Sequence, residues 1–134
     1  MKKILCSTFI VLLLVGCAKE QKEVNNFDPS FVHVVYFWLK DPGNMEDRKA
    51  LEASLEKFMR TSKYAKTKFI GIPPKATRVV VDDSFAYNLV LTFASAEEQE
   101  MYQKEEAHLL FIKESEDLWE RVVVYDANGL EAKQ

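Results

Sequence analysis

The sequence predicts an α+β domain whose elements run β-α-β-β-α-β and build one four-stranded antiparallel sheet with its helices on one face. Three observations predict it. Apolar residues fill FVHVVYFWLK (31–40) and YNLVLTF (87–93), rich in the β-branched and aromatic types that strands favour. Between them Leu51, Leu55, Phe58 and Met59 recur at i, i+4, i+7 and i+8, one stripe of a helix. Ser95-Ala96-Glu97-Glu98 then has the spacing of a capping box, which opens a second helical region.

The chain begins with a segment of another kind. Met1-Lys2-Lys3 is basic, and an apolar run from Ile4 to Val15 follows, broken only by Ser7 and Thr8. Such a run is too short for a bilayer span, which takes about 20 residues, and reads as a secretory signal. It ends Leu14-Val15-Gly16-Cys17, which resembles the bacterial lipobox, where the Cys is lipidated and becomes the new N-terminus. An ordinary signal peptide with a coincidental Cys is the plainer alternative. Residues 1–16 are thus the expected signal, 17–30 a lipidated N-terminus and polar tether, 31–127 the folded domain, and 128–134 a tail. Ala18 after the lipid site resembles an outer-membrane sorting signal, so the expected location is the bacterial envelope, at the outer membrane, held by the lipid anchor alone.

Within the domain, strand 31–40 puts His33, Val35, Phe37 and Leu39 on one face and Val32, Val34, Tyr36 and Trp38 on the other. Asp41-Pro42-Gly43 is a turn and Asn44 a helix cap, with the helix over about 45–62. A second strand spans 66–72 and stops at Pro73-Pro74. Val79-Val80-Val81 reads as a short strand or an extended loop. Strand 87–93 places Leu89, Leu91 and Phe93 with Tyr87 on one face. The second helical region breaks into pieces at about 96–104 and 106–118, and strand 121–126 ends the domain before Asn128-Gly129. This is the split, ferredoxin-like plan. Both faces of the first strand are apolar, so both are expected to be buried. Helices cover one. A second copy packing sheet against sheet, as a dimeric α/β barrel, would cover Val32, Val34, Tyr36, Trp38 and Val90 on the other.

Composition narrows the function classes. The 134 residues carry 18 basic and 21 acidic side chains, a formal charge of −3. Removing residues 1–16 takes Lys2 and Lys3 and no acid, so 118 residues remain with 16 basic against 21 acidic groups, or −5. An acidic chain without a basic block is a poor nucleic-acid binder. The two cysteines are Cys6, lost with the signal, and Cys17, used for lipid, so thiol chemistry and disulfides are not expected. No metal-ligand spacing and no cofactor motif is present, and neither is expected.

What remains is His33 and His108, the two histidines of the chain, with Tyr102 six residues before the second. Imidazole takes or gives a proton near neutral pH. Only the break between helical pieces lets Tyr102 and His108 both point inward. His108 is then a candidate base, Tyr102 a candidate donor to a carbonyl or enolate oxygen, and His33 a group that orients or relays. The structural alternative is a satisfied core histidine and a core tyrosine.

The strand HVVYFWLK with its early His, the segment YQKEEAH, and the terminal block LWERVVVYD together resemble the stress-responsive dimeric α/β-barrel (Dabb) family, over residues 31–126. The family includes a plant polyketide cyclase whose catalytic His, Tyr and His match His33, Tyr102 and His108. The resemblance implies a pocket between sheet and helices lined by Val35, Phe37, Leu39, Leu89, Leu91, Phe93, Phe111, Trp119, Val122 and Val124, with Asp126 at its end. Glu105-Glu106 stands where the cyclase pattern has His-Pro. Two function classes follow as expectations. One is a lipoprotein domain that binds a small apolar or aromatic ligand. The other is a cofactor-independent cyclase or isomerase acting on a polyketide-like or phenolic compound.

Overall fold

The computed structural model describes residues 27–130. The signal, Cys17, most of the tether and the end of the tail lie outside these residues. The elements are β1 (Phe31–Leu39), α1 (Met45–Thr61), β2 (Lys68–Gly71), β3 (Tyr87–Phe93), α2 (Ala96–Lys104), α3 (Glu106–Ser115) and β4 (Trp119–Asn128). The strands form one antiparallel sheet in the order β2-β3-β1-β4. This is the ferredoxin-like plan that the sequence predicts.

Local chemistry sets the ends. Asn44 caps α1 by accepting the Glu46 and Asp47 N–H groups at 2.9 and 3.3 Å, which satisfies donors that have no partner inside the helix. Ser95 caps α2 by accepting the Glu98 N–H at 3.2 Å. The return half of that capping box is displaced by one residue, because the Glu98 carboxylate takes the N–H of Ala94 instead of Ser95. The α2–α3 break falls at Glu105, whose backbone is extended (φ −68°, ψ 147°).

Three elements differ from the expectation by more than a residue. β2 is shorter, Lys68–Gly71 instead of 66–72. Of the two readings of Val79-Val80-Val81, the loop is the one found. The Val81 N–H donates to the Arg78 carbonyl at 3.0 Å, a turn in the loop that follows Pro73-Pro74. α3 stops at Ser115 instead of 118, where the Leu118 N–H returns to the Ser115 carbonyl. β4 is longer than expected and starts at Trp119, because a bulge opposite Trp38 and Leu39 absorbs Glu120 and keeps the pairing going.

Register then assigns the faces. On the helix side, three rows cross β3, β1 and β4: Leu91–His33–Asp126, Leu89–Val35–Val124 and Tyr87–Phe37–Val122. Leu51, Leu55 and Phe58 of α1, Tyr102 of α2 and Phe111 of α3 pack over this side and complete the core. On the opposite side the row Phe69–Val90–Val34–Tyr125 crosses all four strands. Tyr36 and Trp38 extend this apolar face. The end of the β2–β3 loop leans on it, with Phe85 4.8 Å from Tyr36 and Ser84 accepting the Trp38 indole N–H at 3.0 Å. Phe69 and Tyr125 are more than half exposed. No helix lies over this face among the described elements.

Candidate functional site

His33 is the third residue of a strand whose odd positions all face the helices, so its ring is carried into the core and is 3 % exposed. A buried imidazole needs a partner. Register supplies one, since Asp126 lies directly across on β4 and its carboxylate is 2.5 Å from His33 Nδ1. A carboxylate accepts, so Nδ1 carries the proton and Nε2 is left for other work.

Tyr102 and His108 come from either side of the helix break. A continuous helix would put residues six apart on different faces. The break at Glu105 turns both rings the same way, with centroids 4.6 Å apart. Tyr102 also lies edge-on to His33 at 5.7 Å, which brings the three predicted polar groups together. Phe58 and Phe93 pack around them.

These rings close one end of a cleft of about 190 Å³ between β1, β4 and the α2–α3 pair. It is lined by His33, Val35, Phe37, Leu89, Tyr102, Gln103, His108, Phe111, Ile112, Trp119, Val122 and Val124. The cleft exists because β4 is an edge strand that the helices do not fully cover, leaving Val122 and Val124 partly open. Four residues expected in the lining are elsewhere. Leu91 and Phe93 lie on the inner strand β3 directly under the helices and are fully buried. Leu39 is in the core beyond the bulge, and Asp126 stands behind His33, bonded to it. The lining adds Gln103 and Ile112, which α2 and α3 turn inward beside Tyr102 and His108.

The electrostatics divide the three groups. Burial pushes the Tyr102 phenol far above its ordinary value, and the negative charges of Glu105 and Asp126 push the same way, so it is held as an O–H donor. Burial lowers His108, and nearby His33 adds to that, while the bond to Gln103 and the charge of Glu105 act in the opposite sense. His108 is therefore held neutral. Its Nδ1 lies 3.2 Å from the Gln103 carbonyl, which can only accept, so Nδ1 carries the proton and Nε2 carries the lone pair. Among the described residues neither histidine Nε2 nor the Tyr102 hydroxyl has a hydrogen-bond partner. A neutral base, a second imidazole held by a carboxylate, and a phenol donor thus share one apolar cleft. No group of three His, Cys, Asp or Glu suited to a metal occurs among the described residues.

A pH dependence follows. Folded His108 binds a proton less readily than the unfolded chain, whose value is 6.5. Stability from this group is complete above that value and falls as pH drops through it toward the folded value. His108→Gln should reduce the loss of melting temperature between pH 7.5 and pH 5.5, measured by circular dichroism. Equal losses in both proteins would contradict the assignment.

A family model described as the stress responsive A/B barrel domain matches residues 31–128. No curated protein matches the chain. Among solved structures, one similar protein is a dimeric protein of unknown function with a ferredoxin-like fold from Bacteroides fragilis, 15% identical, with 76% of this chain and 98% of that one covered at a TM-score of 0.61. A Dabb family protein from Mesorhizobium loti is 15% identical over 75% of this chain and 96% of that one, at 0.61. The hydroxynitrile lyase of Passiflora edulis is 21% identical over 80% of this chain and 100% of that one, at 0.62. At these identities the structural likeness speaks for the fold. The family match spans nearly the whole of the folded part, and the chain belongs to the stress-responsive A/B barrel domain family.

Proposed function

We propose that the domain binds a small, largely apolar or aromatic compound bearing a carbonyl or hydroxyl group in the cleft between β1, β4 and the α2–α3 pair. The observation that carries this is the set of unpartnered polar atoms, Tyr102 Oη and the Nε2 atoms of His33 and His108, within an otherwise apolar lining. Apolar walls supply affinity and a few fixed polar groups supply orientation. A thermal-shift panel of small phenols and aromatic ketones tests it. At least one compound should raise the melting temperature of the protein and fail to do so for His108→Ala. No hit across the panel, with a His108→Ala protein of ordinary stability, would sink the reading.

The tautomer of His108 favours a second reading, proton transfer on the bound compound. Nε2 of His108 takes a proton from the carbon next to the carbonyl. The electron pair of that C–H bond moves to the carbonyl oxygen, and the Tyr102 O–H donates to the enolate that forms. His33, aligned by Asp126, orients the ligand or returns a proton. Ring closure or isomerisation of a phenolic or polyketide-like compound fits such a step. The hydroxynitrile lyase of similar fold is consistent with lyase-type chemistry on this scaffold.

Two further proposals concern the setting of the site. The domain pairs with a second copy through the apolar face that carries Val34 and Tyr36; the similar protein from Bacteroides fragilis is described as dimeric. The chain is an envelope lipoprotein anchored through Cys17. Membrane retention of a Cys17→Ala protein after secretion would refute the anchor.

A further inference from the structure

Glu105 stands at the corner on which the whole site depends. Its backbone serves both helices, as the N–H donates to the Tyr102 carbonyl and ends α2, while its carbonyl accepts the Leu109 N–H and starts α3. No side chain caps α3, so the usual device for fixing a helix start is not used here. The Glu105 side chain turns the other way. Oε2 accepts the Lys63 N–H at 3.0 Å and ties the corner to the residues just past α1. Oε1 is buried and has no hydrogen-bond partner among the described residues.

A carboxylate oxygen removed from water and not hydrogen-bonded has a field less screened than that of an exposed one. Glu105 is three residues from Tyr102 on one side and three from His108 on the other. Its charge acts on both, supporting the protonated phenol and opposing the loss of basicity that burial causes at His108. Other charged or titratable groups surround this corner. Lys104, in the last turn of α2, directly precedes Glu105. Lys57 of α1, Lys63 after it and Glu106 share an outer hollow with Glu105. Lys57 is bound to Glu114 of α3, and Lys68 of β2 is bound to the Met59 and Ser62 carbonyls. His33 and Asp126 face the site from β1 and β4.

We infer that Glu105 is a positioning residue of the cleft, pinning the corner between Tyr102 and His108 to the end of α1 while setting a fixed negative charge behind both. It makes His108 a stronger base than an apolar pocket alone would leave. The inference rests on the proton-transfer reading for its purpose, but not for its test, which needs no ligand.

The test is a pH titration of the His108 ring by NMR in the full chain, with melting temperature measured in parallel. Glu105→Gln keeps an oxygen for the Lys63 N–H and removes the charge. Its His108 titration should move to lower pH while the melting temperature changes little. Glu105→Asp keeps the charge and loses the reach to Lys63. It should melt earlier with a His108 titration close to that of the unaltered protein. An identical His108 titration in the Gln variant would overturn the inference, as would an Asp variant whose titration falls as far as that of the Gln variant. If the titrations separate as expected and the ligand panel is empty, the electrostatic role of Glu105 stands and the ligand reading alone fails.

Discussion

Phe58→Ala is expected to cost about 3–5 kcal/mol of folding stability and to remove ligand binding with it. The ring is 1 % exposed and sits in the core behind Tyr102, His108 and Phe111, which line the cleft. It stacks on Phe111 at 5.2 Å with an interplanar angle of 21°, and contacts Tyr102 at 5.7 Å and His108 at 6.0 Å. Truncation loses the transfer energy of the ring and leaves a cavity that α1, fixed at its start by Asn44, closes only in part. The Tyr102 and His108 rings then lose the surface that sets their tilt. Urea unfolding measures the first effect and ligand-induced thermal shift the second. A stability loss below about 1 kcal/mol would show that the core behind the cleft is not close-packed at Phe58. Phe58→Leu, which refills most of the volume, should recover most of the stability and little of the binding.

Val34→Glu is expected to convert the protein from a dimer to a monomer. Val34 is central in the row Phe69–Val90–Val34–Tyr125 that crosses the open face from one sheet edge to the other. Full burial of large apolar side chains is worth about 1.5–3 kcal/mol each, so a face this apolar has a strong drive to be covered. Placing a carboxylate at its centre puts two like charges near each other across a dry interface, where neither has a partner. The helix-side core is untouched, since Val34 points away from it. Light scattering should give twice the chain mass for the unaltered protein and one chain mass for the variant. A dimeric variant would mean that the copies meet elsewhere, and a monomeric unaltered protein would refute the pairing.

The fold was legible because its strongest signals are local. Two-residue alternation in β1, the stripe on α1 and the caps at Asn44 and Ser95 each lie within a few residues. That His33, Tyr102 and His108 lie together was legible for another reason: histidine is scarce in this chain, and the α2–α3 break lies between Tyr102 and His108. The partners of those residues were not. Asp126 is 93 residues from His33, and only the β1–β4 register brings their side chains to bonding distance. Glu105 reaches the Lys63 N–H across 42 residues, which no periodicity reports. The division of the lining between cleft and core was also hidden. Leu89 and Leu91 carry the same pattern in sequence and both are buried, yet Leu89 lines the cleft and Leu91 does not. Val79 and Val80 have strong strand propensity and still form a turn, because two prolines and Asp82-Asp83 leave them no partner strand.

The most direct test of the central claim is hydrogen exchange on a ligand. An aromatic ketone that stabilises the protein is incubated with it in D2O, and loss of the proton signal beside the carbonyl is followed by NMR. If His108 removes that proton while Tyr102 holds the oxygen, exchange is faster than in buffer and rises with pH through the His108 titration. It is then lost in His108→Ala and strongly reduced in Tyr102→Phe. Exchange no faster than in buffer, or equally fast with His108→Ala, would contradict the account.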